Sequence, residues 1–480
     1  MVILRKRQSP GAVAGCFFLF FFLFCGCQSE ETPVPEPDPD PEPGEEQIAN
    51  QWIEETMRRY YLWEEDIPQK ENLDFTQDAT SFFFSLLTDK DGKTRTNGHY
   101  YYSSINPKSN TSTRSYMGNG YSFGFEFQYY YISSLRKYAL LVLYVLPGSP
   151  AENAGMKRGD WVMEINQAPV PGDTEALLKL LDTTSPVTQT FGIASRPGLP
   201  VSNTIQLTAA TVEDNPVFLH KIIPYGGRRI AYLVYNHFTA GPTDTTDDEL
   251  FNNTLREVFR WFKTEKPDEF ILDLRYNGGG LVSSAQLLAT MLAPASALDD
   301  VFCRLTYNKR NNSYSDRTLN LDSKYMKQGA AGENLDLSRL YVITSSRTAS
   351  ASEAVINGLD PYMDVILTGE QTEGKNVGSV TFDDERFEWE LHPIVSRLSN
   401  KNGFSDYENG FPPDIPCEEP DTVTYYELGD EREFMLNTVL KHLAGETRGV
   451  TLRPTDNKLT LLPLGHSLDR RKTNAVILDH

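Results

Sequence analysis

Leu272-Asp273-Leu274-Arg275-Tyr276-Asn277-Gly278-Gly279-Gly280 alternates apolar and polar residues and ends in three glycines. It reads as a buried strand whose exit lets backbone N–H groups approach a ligand with no Cβ in the way. Such an exit is a competent anion nest or oxyanion hole, although glycine-rich strand ends more commonly just turn. The segments on either side decide the fold. Strands are predicted over 229–234, 269–274, 340–344 and 365–369, and helices over 249–264, 283–292 and 352–359. This succession predicts a mixed α/β core with parallel pairing. The polar stretch 302–338 reads as an inserted loop or hairpin.

A second segment carries chemistry. Thr348-Ala349-Ser350-Ala351-Ser352-Glu353 follows a predicted strand and opens a predicted helix, so Ser350 sits at a strand-to-helix corner beside helix N-terminal N–H groups. A serine is a poor nucleophile without a base. No G-x-S-x-G elbow is present, so a Ser-His-Asp triad of the α/β-hydrolase kind has no support. Lys375, in Glu373-Gly374-Lys375, follows the next strand, and a buried lysine loses its proton readily enough to act as a general base. Ser352 and Glu353 read as helix-start residues, and Asp273 and Arg275 as fixing strand geometry. Ser134-Leu135-Arg136-Lys137 fits S-x-x-K, but no K-T-G or S-D-N accompanies it.

Upstream, the sequence from Tyr116 turns strand-like, with alternation through Tyr121–Phe127 and an apolar run over 138–146. Then comes Pro147-Gly148-Ser149-Pro150-Ala151-Glu152-Asn153-Ala154-Gly155-Met156-Lys157-Arg158-Gly159-Asp160. It resembles the PDZ signature P-x-S-P-A-x-x-A-G-x-x-x-G-D, and strands near 161–166 and 203–211 with a helix over 174–181 complete the pattern. A PDZ domain adds a peptide to a sheet edge and holds its carboxylate in backbone N–H groups. The resemblance places the carboxylate loop at Gly120, Tyr121, Ser122, Phe123 and Gly124, with Leu177 and Leu178 near the groove. Before it, 47–115 reads as a small, mostly helical N-terminal domain, with Ile48, Trp52, Met57, Tyr60 and Tyr61 at helical spacing. Its many aromatics read as core packing.

The first 27 residues read as an export signal. Arg5, Lys6 and Arg7 precede the Phe/Leu run 17–24, and Phe24-Cys25-Gly26-Cys27 resembles a lipobox. The resemblance implies cleavage before Cys27 and acylation of its thiol, giving a lipid-anchored exported protein of a Gram-negative outer membrane, on its periplasmic side or the cell surface. The competing reading is one uncleaved anchor helix, but an apolar stretch of about 17 residues is at the lower limit for spanning a bilayer. Residues 28–46 form a Pro/acidic stalk, and Glu30 and Glu31 look like a surface-export tag.

Composition narrows the function. The 480 residues carry 45 Lys+Arg against 66 Asp+Glu, a formal net charge of −21. So acidic a chain makes nucleic acid an improbable partner. The 5 cysteines form no C-x-x-C pair and the 7 histidines no H-x-x-x-H, so a metal site has no support. No P-loop or dinucleotide fingerprint appears, and no cofactor is expected. His392 reads as a packed histidine, and Cys303 and Cys417 as thiols able to pair if close.

Together, Asp-Leu-Arg-x-Asn-x-Gly-Gly, Ser-Ala-Ser-Glu and Gly-Glu-x-Thr-x-Gly-Lys resemble the C-terminal processing peptidases, or tail-specific proteases. Gly410-Phe411-Pro412-Pro413-Asp414 resembles that family's G-x-x-P-D. The resemblance covers roughly 116–445. It implies an α/β multidomain protein: a Clp-protease/crotonase-like peptidase core (213–445), an inserted PDZ domain (116–212) and the helical N-terminal domain. It implies Ser350 as nucleophile, Lys375 as base, and an oxyanion hole from Gly279 or Gly280 with Ala351. Substrates would be proteins or peptides with exposed C-termini. The family's Gln, four residues after the lysine, is Ser379 here; Ser379, Asn376 or a backbone carbonyl is left to orient the amine. A competing reading follows, a catalytically weak peptide-binding lipoprotein. For 446–480 only a final strand pair over 451–462 is expected.

Overall fold

Parallel strands rich in Val, Ile and Leu form the centre of the protein, and such strands need cover on both faces. A computed structural model describes residues 44–95, 98–108, 121–242, 248–310, 315–326, 332–419, 424–446, 460–470 and 476–477. The stretches 1–43 and 109–120 lie outside the described residues, and with them the expectations for Cys27, the stalk and Gly120.

The central sheet runs Val217–Tyr225, Arg228–Tyr235, Glu269–Asp273, Arg339–Thr344, Asp364–Gly369 and Ile415–Pro416, parallel after the first, antiparallel pair. Alternation along its strands divides the core. Leu233, Phe270, Leu272 and Val342 pack with the helices Leu250–Glu265, Val282–Leu292 and Ala351–Leu359. Tyr232, Val234, Ile271 and Ile343 pack with the helix Phe434–Leu443 and with Leu141, Leu143 and Trp161 from the PDZ-like region. A second sheet has the order Gly280–Leu281, Val476–Ile477, Val377–Ser379, Ile394–Ser399, Val301–Tyr307, Arg317–Asn320. The 302–338 stretch does contain an antiparallel pair. Its first strand, however, is core: Phe302, Cys303 and Leu305 are buried.

The PDZ-like sheet has the order Leu461–His466, Phe125–Ile132, Lys137–Val145, Trp161–Ile165, Thr188–Ala194, Asn203–Thr208. In its signature, Ser149 caps the short helix Pro150–Asn153 by accepting the Glu152 N–H, and Gly155 supplies the positive φ that ends it. Asp173 caps the helix Thr174–Leu181 in the same way. Leu177 is buried in the core cluster under this helix, and Leu178 is half-buried. Phe123 and Gly124 are buried too, and a Cβ on Gly124 would stand 2.1 Å from that of Ser149. The expected strand pair over 451–462 falls mostly outside the described residues; the described strand Leu461–His466 pairs with Phe125–Ile132.

The N-terminal region is helical only in its first half, Glu45–Tyr60 and Ala79–Ser85. The strands Lys93–Arg95, Gly98–Tyr100 and Ser104–Pro107 follow, and the last pairs with Trp389–His392 of the peptidase-like region. Ile53, Met57, Phe82 and Phe83 share one cluster with Val377, Leu391 and Ile394, so this region is fused to the second sheet. His392 is only partly buried, hydrogen-bonded to Thr381 and Glu390. Cys303 and Cys417 are free thiols in different clusters. Among the described residues no helix is long and apolar enough to cross a membrane.

Candidate active site

The turn that carries Ser350 is fastened to the glycine-rich exit by hydrogen bonds. Thr348 Oγ1 donates to the Leu274 carbonyl at 2.9 Å, Ser345 Oγ to that of Arg275 at 2.5 Å, and Ser352 Oγ to that of Asn277 at 3.0 Å. The Ala349 N–H also reaches Asn277 O, at 3.2 Å. Ser350 itself has φ 61° and ψ −114°, a backbone state costly for a residue with a Cβ and characteristic of over-determined functional turns. Its Oγ is fully buried and has no hydrogen-bond partner among the described residues.

Gly279 lies directly against this serine. A Cβ placed there would stand 2.7 Å from Ser350 Cβ and 3.1 Å from the Ala351 nitrogen, and its φ of +110° already excludes most side chains. The Gly279 N–H, however, donates to Asn277 Oδ1 at 2.9 Å. Its carbonyl and the Leu281 N–H both pair with Phe238. Strand alternation therefore turns the Gly280 N–H to the opposite side, where Gly280 pairs with Val476. Ala351, at the first turn of its helix, finds no acceptor for its N–H among the described residues.

Lys375 is 1% exposed. Its loop is held from two directions. Glu353 Oε1 accepts Thr372 Oγ1 and the Gly374 N–H, both at 2.6 Å, while Oε2 accepts the Lys375 N–H at 2.8 Å and the Ser350 N–H at 2.9 Å. From the other side, the Gly410-Phe411-Pro412-Pro413-Asp414 segment buttresses it. Thr372 and Phe411 exchange hydrogen bonds, Gly410 packs on the Thr372 carbonyl, and Asp414 accepts the Leu367 N–H. Glu353 thus does more than cap a helix; it joins the serine turn to the lysine loop. Burial pushes its carboxyl up to about 7, against the pull of those four donors.

The lysine amine lies 4.6 Å from the centre of the Tyr102 ring, contributed by the N-terminal region. Desolvation lowers its pKa to about 8, with Asp91, Glu373 and Glu353 pulling the other way. Tyr102 is fixed in turn: its N–H donates to Asp91 at 2.9 Å and its hydroxyl to Glu373 at 3.2 Å. Arg95 and Tyr100 also bind Glu373. The aromatics here are therefore not all core packing. No signal in the sequence tied Tyr102 or Asp91 to Lys375, and Asn277 stood in the glycine segment without a role. Asn376 does not face the amine, since its Nδ2 donates to Ser405 O at 2.6 Å. Ser379 is buried at the end of its strand, opposite Ile394.

A buried ion network supports the glycine segment from behind. Arg275 is bound to Asp273 and to Glu433, and Tyr232 donates its hydroxyl to Asp273 at 2.6 Å. Arg158, from the PDZ-like signature, reaches Glu419, Glu433 and the Tyr276 hydroxyl. Asp273 and Arg275 are structural, as the sequence suggests, and their network also ties the PDZ-like region to the candidate site. A cavity of about 680 Å³ runs from Lys375, Gly278 and Ala349 to Gln128 and Tyr130 of the PDZ-like edge. Among the described residues no cluster suited to a metal ion occurs.

Comparisons with known proteins agree with this architecture. Residues 229–417 match peptidase family S41, 49–112 the peptidase S41 N-terminal domain, and 141–189 a PDZ domain. The crystal structure of a Bacteroides fragilis chain assigned to the S41 proteases aligns with a TM-score of 0.70 at 32% identity, covering 87% of this chain and 100% of that one. A carboxyl-terminal-processing protease of Picosynechococcus sp. is 26% identical over 322 residues, 63% of this chain and 66% of its own length. One from Synechocystis sp. is 22% identical over 344 residues, 68% of this chain and 69% of its own. The chain therefore spans about two thirds of these two relatives. With 32% identity over 87% of the chain to an S41 protease and matches to the peptidase S41, S41 N-terminal and PDZ models, this protein belongs to peptidase family S41.

Proposed function

We propose that the protein is a serine endopeptidase that cleaves polypeptides presented through their C-termini, with Ser350 as nucleophile and Lys375 as general base. One observation carries the reading: a serine with an unpartnered, buried Oγ and a buried lysine with a depressed pKa are joined through a single carboxylate, that of Glu353. The neutral Lys375 amine takes the Ser350 hydroxyl proton as Oγ bonds to the substrate carbonyl carbon. The oxyanion is received by the Ala351 N–H and by the glycine exit, at Gly279, whose N–H is engaged by Asn277, or at Gly280, which pairs with Val476. The Lys375 ammonium then returns its proton to the leaving amine as the C–N bond breaks. Water, deprotonated by the same amine, hydrolyses the acyl-serine ester.

The PDZ domain supports capture of extended peptide ends. The lipobox-like segment at Cys27 supports export and anchoring to the outer membrane. The test is hydrolysis of casein by purified 28–480, beside Ser350→Ala and Lys375→Ala. Turnover that both substitutions abolish is expected. A folded parent without turnover between roughly pH 6 and 10 would favour the second reading, a peptide-binding protein, to which Ser379 in the usual glutamine position gives its weight.

A further inference from the structure

In the PDZ domain the strand Phe125–Ile132 follows the Ser122–Gly124 turn and pairs on one edge with Lys137–Val145. Its other edge is the place where an incoming peptide would add as a strand. That edge is already filled, by Leu461–His466 of the same chain, antiparallel, with Leu461 opposite Ile132 and His466 opposite Gln128. The direction matters. The C-terminal end of the tail strand lies nearest the turn, which is how a peptide carboxylate would be oriented.

Beyond His466, Ser467 Oγ accepts the Phe127 N–H at 2.7 Å and donates to Glu126, a carboxylate only 1% exposed. Gln128 Nε2 donates to the Gly465 carbonyl at 2.6 Å. Leu462 and Leu464 stay 46% and 48% exposed, so the middle of this strand is held by its backbone and not by side-chain burial. Backbone capture with little side-chain commitment is how a sheet edge receives peptides of varied sequence.

The same tail reaches a second strand slot. Val476–Ile477 pairs in parallel with Gly280–Leu281 on one side and with Gly378–Ser379 on the other. This places backbone of the tail between the glycine exit and the strand that follows Lys375. Pro463 to His466 also line the cavity that joins the PDZ edge to Lys375.

We propose that the C-terminal segment contributing Leu461–His466 and Val476–Ile477 is an intramolecular peptide ligand. It occupies both the PDZ edge and the strand slot at the candidate site, and an incoming C-terminal peptide must displace it. The proposal rests on the reading of these two places as peptide-binding. A tethered ligand competes at an effective concentration in the millimolar range, so it suppresses micromolar peptides without being covalently special.

The experiment uses the Ser350→Ala chain with a specific protease site introduced between Glu446 and Thr460, cut only after folding. The probe is a fluorescein-labelled synthetic peptide of residues 460–480, followed by anisotropy. After cutting and removal of the released tail, its affinity should rise by about 10–100-fold over the uncut chain. Ser467→Ala in an otherwise uncut chain should raise it by a smaller factor. Equal affinity before and after release, or a tail that stays bound through gel filtration in excess probe, overturns the proposal and makes the segment an integral strand. Hydrolysis is measured separately in the parent with Ser350 restored. If release raises probe affinity but no casein is cleaved, the dyad reading fails while the tail's role as ligand stands.

Discussion

Ser350 and Lys375 donate their backbone N–H groups to the same oxygen, Glu353 Oε2, at 2.9 and 2.8 Å. The serine corner and the lysine loop are thereby held within two hydrogen-bond lengths of each other by a group that has no part in bond making. Glu353→Gln keeps the shape but replaces one accepting oxygen with an amide NH2 donor. That donor then faces either the Ser350 and Lys375 N–H groups together or the Gly374 N–H, according to which end of the carboxylate it replaces. We expect kcat to fall roughly 10–100-fold and stability by about 1–3 kcal/mol, read from steady-state kinetics and calorimetry. Unchanged kcat would remove Glu353 from the positioning of the dyad.

The depressed pKa of Lys375 sets a pH profile. As a base it works neutral, so log kcat/KM should rise with pH and level off above about 8. Glu373 is among the groups that hold the amine's pKa up, so Glu373→Gln should move this limb to lower pH. The linked stability has the opposite sense to that of a paired lysine. Between about 8 and the ordinary 10.5 the unfolded chain keeps the proton that the folded chain has lost, so this group makes the fold more stable as pH rises through that window. A limb centred near 10.5 would mean that the amine is hydrated in the working enzyme.

Tyr102 covers the lysine amine with its ring, and desolvation is the leading cause of the lowered pKa. Tyr102→Leu should admit water and move the rising limb to higher pH, lowering activity at pH 7.5 several-fold. Tyr102→Phe keeps the ring, loses only the hydroxyl bond to Glu373, and should leave the limb near its original place. A purely structural tyrosine would change melting temperature in both variants without moving the profile.

Gly279 tolerates no side chain. An added Cβ would press on Ser350 Cβ at 2.7 Å from a backbone at φ +110°, so Gly279→Ala has both a clash and a strained conformation to absorb. We expect roughly 100-fold or greater loss of kcat, as for a disturbed oxyanion site, with destabilisation of about 1–3 kcal/mol. Active-site titration with a serine-reactive fluorophosphonate should fall in parallel. Normal titration would show that the Ser350 turn can shift without penalty.

Arg158 ties the PDZ domain to the peptidase region, and its side chain is fully buried between Glu419 and Glu433. Arg158→Met leaves carboxylates in the interior with one cation fewer. The expected loss is about 3–5 kcal/mol, seen as a lower melting temperature. A shift within experimental error would mean that Glu419, whose pKa burial raises to about 7, simply takes up a proton instead.

Local chemistry determined much of this protein directly. Strand and helix periods in the core are set by near neighbours, so the sequence predicts these elements within a residue or two. The pairing of Ser350 with Lys375 is what the family resemblance of the two motifs implies. What holds the two together was not legible, because Glu353 reads as an ordinary helix-start residue until the lysine loop is folded onto it. The same holds for Tyr102, one aromatic among many, which acquires its place only when the strand Ser104–Pro107 pairs with Trp389–His392. The tail is the furthest case: the apolar run 461–464 names no partner, and only an edge strand more than three hundred residues away gives its backbone N–H and C=O groups partners. Periodicity and turn chemistry are encoded over a few residues, whereas sheet edges, shared carboxylates and buried amines exist only once distant segments have been brought into contact.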